Sequence, residues 1–373
     1  MTARTTPPFR ADHVGSLLRP PALLEARAAH ADGRLDDAGL RAAEDEAIAD
    51  VVRLQADAGM QTVTDGEFRR TSWHMDFIYA VTGIRRTEEQ LEVRMRNASE
   101  DRSFTSAGLV VDAPVRIEEP IFADAFAHLR SVAPAGTTPK LTIPSPSMVH
   151  YRGGTAAIDP SVYADEDAFF DDLAAAYSQQ VRMIADRGCT YLQLDDTSLA
   201  YLNDPAQREA VTAKGGDADH QHERYIRTLN QALSGRPEGL AVTTHLCRGN
   251  YRSSWAASGS YDFVAEALFG GLDVDGFFLE YDDERSGGFE PLRFVPPGKQ
   301  VVLGLVTTKS PVLESKDDLK RRIDEAAKHV PLEQLSISPQ CGFSSTVEGN
   351  DLTQDDEVAK LRLVVEVAQE VWG

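Results

Sequence analysis

Eight short runs of β-type sequence, most of them separated by helix-type sequence, constrain the fold of this chain more than any other feature. The runs are 12–16, 61–67, 140–146, 190–196, 240–247, 276–282, 300–307 and 334–341. Apolar residues recur at three- and four-residue spacing, as in helices packed on a sheet, at 36–58, 165–187, 220–234, 315–330 and 353–371. This alternation predicts a parallel sheet, and eight repeats predict its closure into a (β/α)8 barrel. We therefore expect an α/β fold, a TIM barrel, forming a single domain over residues 1–373.

One segment, residues 84–137, departs from this alternation. Two stretches in it, LEVRMRN and FTSAGLVVDAPVRI, alternate in polarity as the strands of a hairpin do. We expect an insertion after the second barrel strand. It could serve as a lid, as an oligomer contact, or as a surface elaboration without a role in chemistry.

Charge and composition exclude several classes of function. The chain has 38 basic and 59 acidic residues and a net charge of −21, whereas nucleic acids and anionic membranes bind positive surfaces. No apolar run reaches the roughly 18 residues that span a bilayer, and the N-terminal sequence lacks the apolar stretch of a signal peptide. With three cysteines only, we expect a cytoplasmic protein that binds small molecules and could form a homo-oligomer.

The strongest chemical signal is the triplet His245-Leu246-Cys247. Alternate residues of a strand point to one side, so this imidazole and thiolate can bind one soft cation. Glu280 and Cys341 end later strands, and two sulfurs, an imidazole and a carboxylate suit tetrahedral zinc better than magnesium or calcium. An isolated His-x-Cys motif often occurs without a metal, and a lone cysteine is more often a small buried hydrophobe. Ligands from three distant segments indicate a catalytic zinc site.

Polar or reactive residues end every predicted strand. In a barrel of this type the carboxyl ends of the strands surround the active site, and such groups are costly to bury unpaired. We therefore predict one site that combines the metal ligands with catalytic roles for Lys309 and Asp195. Substrate contacts are predicted from Ser16, Glu67, Ser145, Asp195 and Asp196.

These motifs resemble those of the cobalamin-independent methionine synthases, specifically their C-terminal catalytic barrel and the short stand-alone relatives. The resemblance covers almost the whole chain and rests on VGSLLRP, TDGEF, LQLDD, HLC, FLEYDDERSGGFEPL and SPQCGF. It implies a zinc ion on His245, Cys247, Glu280 and Cys341. It also implies that the amino-acid part of homocysteine is bound by Ser16, Glu67 and Asp195.

Three positions depart from the family pattern. Folate-using members place a tryptophan shortly after the third strand, where it stacks on the pterin, and this chain has Pro146 there. A glutamate a few residues past the LQLDD-type motif is replaced by Tyr201, and the histidine proposed as proton donor is replaced by Lys309. The resemblance therefore implies an intact thiol-activating half and a methyl donor other than folate.

The favoured prediction is transfer of a methyl group from a small donor to the thiol of homocysteine, which gives methionine. The thiolate is the nucleophile, and a zinc ion would stabilise it. One alternative is a zinc-dependent transferase that joins another thiol to another electrophile, as the related epoxide:thiol transferases do. A uroporphyrinogen decarboxylase-like enzyme or a non-catalytic binding protein are alternatives of other classes, and neither needs the zinc ligands.

Overall fold

The computed structural model describes residues 4–96 and 101–373, apart from the side chains of 89–94, 101–104, 106 and 107. The strands are β1 (Thr62–Val63), β2 (Thr82–Arg96), β3 (Asp101–Arg116), β4 (Thr138–Pro139), β5 (Leu141–Pro144), β6 (Tyr191–Asp196), β7 (Ala241–Leu246), β8 (Gly276–Glu280), β9 (Gln300–Val306) and β10 (Leu335–Pro339). The helices are α1 (Pro21–Ala31), α2 (Asp37–Asp57), α3 (Met75–Ile78), α4 (Ala123–Val132), α5 (Ser147–Gly153), α6 (Glu166–Asp186), α7 (Ser198–Tyr201), α8 (Pro205–Ala213), α9 (Gln221–Leu233), α10 (Ala265–Gly271), α11 (Lys316–Ala326) and α12 (Gln354–Trp372).

A six-stranded parallel sheet, in the order β5-β6-β7-β8-β9-β10, occupies the centre of this mixed α/β fold. Every residue of β5, β6, β8, β9 and β10 is buried, as in sheets covered by helices on one face and filled by side chains on the other. β1 pairs in parallel with β4, which leads directly into β5. At the other edge, Ala11 forms a parallel bridge with Ile337 of β10.

The long helices agree with the periodicity of the sequence. α2, α6, α9 and α12 begin and end within one residue of the predicted bounds, whereas α11 ends four residues before the predicted residue 330. Among the described residues, no helix has both the length and the apolar character that crossing a membrane requires.

The first two predicted strands are shorter in the structure. Residues 12–16 are not assigned to a strand, although Ala11 directly before them forms the bridge to Ile337, and the run 61–67 forms only β1. Gly15 has a φ of 136°, outside the conformation of a regular strand, and a Cβ atom there would lie 2.7 Å from Thr142 Cγ2. The main chain therefore bends at this position because it approaches β5 closely.

The segment 84–137 contains an antiparallel hairpin and a helix. β2 and β3 pair along most of their length, and Arg96 exchanges two backbone hydrogen bonds with Trp255, of 2.6 and 2.8 Å. These bonds fasten the hairpin to the loop that follows β7. The polarity of the sequence indicated the hairpin strands, but it did not indicate α4, which packs against α2.

A fully buried ammonium group lies inside the sheet at the start of β5. Lys140 Nζ donates to Asp12 Oδ1 and to Gln193 Oε1, both at 3.1 Å, and to the carbonyl oxygen of His13. Tyr191 Oη donates to the other oxygen of Asp12 at 2.9 Å. The buried charge is thus paired and fully hydrogen-bonded, as a charge in a core must be.

Candidate metal and substrate site

Three of the four predicted metal ligands converge at the carboxyl ends of β7 and β10. The ligand atoms of His245, Cys247 and Cys341 all lie within 4.8 Å of one another, and all three residues are buried. The two sulfur atoms are 3.3 Å apart. Two neighbouring residues of β7 could not both face this point, but His245 and Cys247 are two apart and so share a side of the strand.

The polar atoms in this cluster lack partners, as expected of a site that binds a cation. Neither ring nitrogen of His245 has a hydrogen-bond partner among the described residues, and the same is true of Glu280 Oε2. Glu280 ends β8 and is fully buried, but its carboxylate lies outside the group of atoms within 4.8 Å. An imidazole and two sulfurs with a carboxylate nearby fit zinc by donor type.

A hydrogen bond between the two sulfur atoms shifts the pKa values of the two thiols in opposite directions. The bond between Cys247 and Cys341, with burial, raises the pKa of Cys247 well above its usual range. The same bond holds the pKa of Cys341 well below its usual range. Burial alone would lower the pKa of His245, but Cys341, Asp195 and Glu280 together raise it. A cation bound here would take the place of protons on these thiol and imidazole groups, because metal ligands must be deprotonated.

Lys309 acts electrostatically on the ligand cluster and does not line the cavity described below. Its Nζ atom is buried without a hydrogen-bond partner among the described residues. Burial raises the pKa of Glu280, and the Lys309 ammonium opposes that rise. The Lys309 ammonium also acts to lower the pKa values of both thiols. Its predicted catalytic role stays a prediction.

A cavity of about 630 Å³, including its open mouth, adjoins the cluster. Six predicted residues line it, and they come from five separate segments of the chain: Ser16, Glu67, Asp195, His245, Cys247 and Cys341. A Cβ atom on Gly342 would lie 1.8 Å from Ser16 Oγ, so glycine after Cys341 lets the serine hydroxyl approach the metal cluster. The predicted thiol-binding residues are thus brought together.

Glu67 is held in the cavity by an unusual backbone conformation and two neighbours. Its φ is 62°, a left-handed conformation that costs free energy in a non-glycine residue and is frequent at functional sites. Thr142 Oγ1 donates to Glu67 Oε1 at 2.7 Å, and Arg70 Nη1 lies 3.3 Å from the same oxygen. Glu67 Oε2 has no partner among the described residues and is therefore free to accept from a ligand.

Asp195 presents a second buried carboxylate to the cavity. Gln193 Nε2 donates to Asp195 Oδ1 at 2.7 Å. Burial raises the pKa of Asp195 to about 7; His245 opposes this rise and the Glu67 carboxylate adds to it. Two carboxylates so close to one another favour a cationic ligand such as an ammonium group.

Two predicted substrate contacts, Ser145 and Asp196, do not line the cavity. Ser145 and Ser147 donate their hydroxyl groups to Asp196 Oδ2, while Ser198 Oγ and the Leu199 amide donate to Asp196 Oδ1. Both oxygens of the carboxylate are therefore occupied inside the protein. Adjacent residues on a strand face opposite sides, and of this pair only Asp195 lines the cavity. The roles of Ser145 and Asp196 as substrate contacts stay predictions.

Several cavity residues were not predicted from the sequence, and they come from loops, from the strand β2 and from the short helix α5: Trp73, His74, Met95, Arg152, Asn250 and Tyr251. The rings of Trp73 and His74 lie 4.3 Å apart, centroid to centroid. Pro146 begins α5 and does not line the cavity, so Trp73 provides an aromatic surface that the sequence did not lead us to expect. The only available signal was that Trp73 and Arg152 follow the ends of predicted strands.

Comparison with known proteins identifies the family. Residues 9–370 match the sequence model of the catalytic domain of cobalamin-independent synthases. The chain belongs to this family. Within the synthase family it is 46% identical to the uncharacterized protein YxjH of Bacillus subtilis over 98% of this chain and 95% of the relative. It is 23% identical to a methionine synthase of Pyrococcus abyssi over 88% of this chain and 85% of that protein.

Solved structures of the synthase family share the fold. A Listeria monocytogenes protein solved as a candidate vitamin-B12-independent methionine synthase superposes with a TM-score of 0.78, at 35% identity and 99% coverage of both chains. A B12-independent methionine synthase from Shewanella sp. W3-18-1, in complex with selenomethionine, superposes with a TM-score of 0.70 at 19% identity and 97% coverage of both chains. The sequence-based recognition of the family is thereby confirmed.

Proposed function

We propose that this protein is a zinc-dependent thiol alkyltransferase that methylates homocysteine to methionine with a donor other than folate. The observation that carries the proposal is the convergence of His245, Cys247 and Cys341 at the wall of the cavity that also contains Glu67 and Asp195. Donors suited to zinc and carboxylates suited to an ammonium group thus share one cavity.

The proposed scaffold is a closed (β/α)8 barrel. Three contacts support closure beyond the six-stranded sheet: the β1–β4 pairing, the Ala11–Ile337 bridge, and a hydrogen bond of 3.1 Å from the Leu17 amide to the Gly66 carbonyl. They connect the chain around residues 11–17 to strands at both edges of the sheet. In a closed barrel the carboxyl ends would surround one site.

The metal would be held by His245, Cys247 and Cys341, with Glu280 as the fourth ligand after a small movement of its side chain. When bound, a zinc ion supplies stabilisation of the acceptor's thiolate at neutral pH. Two thiolates and a carboxylate carry three negative charges, one more than a divalent ion neutralises. The Lys309 ammonium beside Glu280 balances that charge, which is the catalytic contribution we assign to Lys309.

The amino-acid part of homocysteine would be bound by three residues of the cavity. Glu67 Oε2 and the Asp195 carboxylate accept from its ammonium group, and Ser16 Oγ donates to its carboxylate. These contacts fix the thiol beside Cys341, so that the methyl group can approach in line with the sulfur. Met95 of β2 is a buried apolar residue of the cavity wall and would help to keep water from this encounter.

Cysteine substitutions test the metal assignment with a matched control. We expect about one zinc per chain in the wild type. Cys341→Ala should lose zinc and methionine formation, whereas Cys189→Ala should keep both, because Cys189 only donates a bond to the Tyr191 carbonyl. Zinc is measured by elemental analysis and methionine by mass spectrometry. Full zinc retention in a Cys247→Ala Cys341→Ala double variant contradicts the assignment, and product formation only from an epoxide and another thiol favours the alternative transferase.

A further inference from the structure

Arg152 is a cation in the wall of the cavity that has no counter-ion among the residues the structure describes. It is the one arginine or lysine among the described residues that line this cavity. None of its nitrogens forms a hydrogen bond or an ion pair with a described residue, and its Nε atom is buried. Arginines at half-buried positions normally meet a carboxylate or a carbonyl oxygen. In a chain with 59 acidic residues, this unpaired guanidinium group requires an explanation.

Arg152 lies near Tyr201, in the part of the site where the methyl donor would bind. It lies in α5, which follows β5, and its charge lowers the pKa of Tyr201, which burial raises. Cys247 acts on the pKa of Tyr201 in the opposite direction. The hydroxyl group of Tyr201 also lies 2.8 Å from the point that a Cβ on Gly249 would occupy. Tyr201 is therefore near both Arg152 and the sulfur ligands.

We propose that Arg152 binds a carboxylate group of the methyl donor, an inference that rests on the proposed function. The charged groups of homocysteine already have partners in Glu67, Asp195 and Ser16. Arg152 instead adjoins Tyr201, one of the positions where the chain departs from folate-using synthases. The remaining cation of the cavity is thus left for the second substrate.

The charge of the wall favours a carboxylate over a phosphate. Burial and the neighbouring Arg152 hold the pKa of His74 well below its usual range, so His74 is neutral at physiological pH. One guanidinium group then offers one positive charge and two parallel N–H donors, which match a carboxylate. A phosphate dianion would retain uncompensated charge in a cavity that already contains Glu67 and Asp195.

The transfer step balances with the carboxylate on the leaving group. The bond between the methyl carbon and the donor atom breaks, and its electron pair stays on the donor atom. An electron pair of the homocysteine thiolate forms the new bond between sulfur and the methyl carbon. With a sulfonium donor the leaving group is a neutral thioether, so no proton is required, and Arg152 retains the departing molecule by its carboxylate.

Matched pairs of methylating reagents test this assignment. The probes are dimethylsulfonioacetate and dimethylsulfoniopropanoate, each compared with its amide, which has nearly the same size but no negative charge. For each probe, the rate of methionine formation with enzyme is divided by the rate in solution. The measured quantity is the ratio of this acceleration for the acid to that for its amide. We expect a preference for the acid of about tenfold or more, the usual range for a charge-assisted bond.

Three variants test whether Arg152 causes the preference for the acid over the amide. Arg152→Gln should bring the acid preference down to the solution value, and Arg152→Lys should keep part of it. Arg182→Gln removes the same charge from the exposed surface of α6 and should not change it. No acid preference in the wild type, or an Arg152→Gln variant that loses affinity for homocysteine instead of the preference, would overturn the assignment.

Iodomethane separates this inference from the proposed function. It is a small uncharged methyl donor and needs only the thiol half of the site. Acceleration with iodomethane but no acid preference refutes the role of Arg152 alone. A wild type that accelerates neither iodomethane nor any sulfonium probe refutes the thiol alkyltransferase itself.

Discussion

Glu357 links the stability of the protein to pH through the loop that carries Ser16. It lies in the first turns of α12, fully buried, and its Oε2 accepts from the Leu18 amide at 2.8 Å. Its Oε1 has no partner among the described residues. Burial raises the pKa of Glu357 from 4.5 to about 8, and the bond from Leu18 opposes that rise only in part. The folded protein therefore keeps a proton that the unfolded chain loses near pH 4.5.

The sign of the effect follows from this difference in proton binding. Between pH 4.5 and about pH 8 the folded state binds the proton more tightly, so the free energy of unfolding falls as pH rises. At about 1.4 kcal/mol per pH unit, the interval corresponds to at most about 5 kcal/mol. Relaxation around a buried charge reduces this, and we expect about 2–4 kcal/mol.

Glu357→Gln should abolish this dependence because the amide stays neutral and its oxygen can still accept from Leu18. Near pH 4.5 the variant and the wild type should have similar stability, and above pH 8 the variant should be more stable. An unfolding entropy of about 0.8 kcal/mol per kelvin for 373 residues converts the gain to about 3–5 °C in Tm.

Thermal unfolding at pH 5, 7 and 9 measures the effect, with Glu366→Gln on the exposed face of α12 as the matched control. The control should follow the wild-type profile at every pH. Parallel profiles for Glu357→Gln and the wild type would refute the reasoning, because Glu357 would then titrate alike in the folded and unfolded states.

Three further predictions concern the site. Asp195→Asn should raise the KM for homocysteine by about tenfold or more and leave the KM for a thiol without an amino group unchanged. If the variant changes both KM values equally, Asp195 does not bind the ammonium group. Lys309→Met, compared with the exposed Lys328→Met, should shift thiolate absorbance of the metal-free protein to higher pH by about one unit, whereas an unchanged titration would show that Lys309 does not act on the sulfurs. Methyltetrahydrofolate should support little methionine formation in a steady-state assay, because Tyr201 offers no carboxylate to the pterin nitrogens; rapid turnover would show that Trp73 suffices.

The sequence predicted those parts of the site that depend on strand geometry alone. His245 and Cys247 face one side because side chains alternate along a strand. They meet Cys341 because the carboxyl ends of parallel strands lie at one edge of the sheet. The same alternation, applied strictly, separates Asp195 from Asp196. The prediction of both as substrate contacts treated adjacent residues as equivalent, whereas only Asp195 lines the cavity.

Other parts depended on contacts that no local pattern contains. Trp73 and Arg152 reach the cavity from segments after the strands, whose paths are set by packing against distant residues. The burial of Lys309 Nζ depends on the turn after β9, which the sequence LVTTKSP does not specify. The helix α4 escaped notice because it lies in the segment where alternating polarity indicated strands.

The contacts of Lys140 affect the register of the strands in the sheet. Its ammonium group joins the chain at Asp12, β5 and β6 at one level, through Asp12 and Gln193. If β5 slid by two residues against β6, the interior would still be apolar and filled, but this charge would face a hydrophobic layer without a partner, at a cost of several kcal/mol. The contacts of Lys140 with Asp12 and Gln193 therefore fix the register of β5 against β6. Because Gln193 also donates to Asp195, the same set of contacts positions the Asp195 carboxylate in the cavity wall.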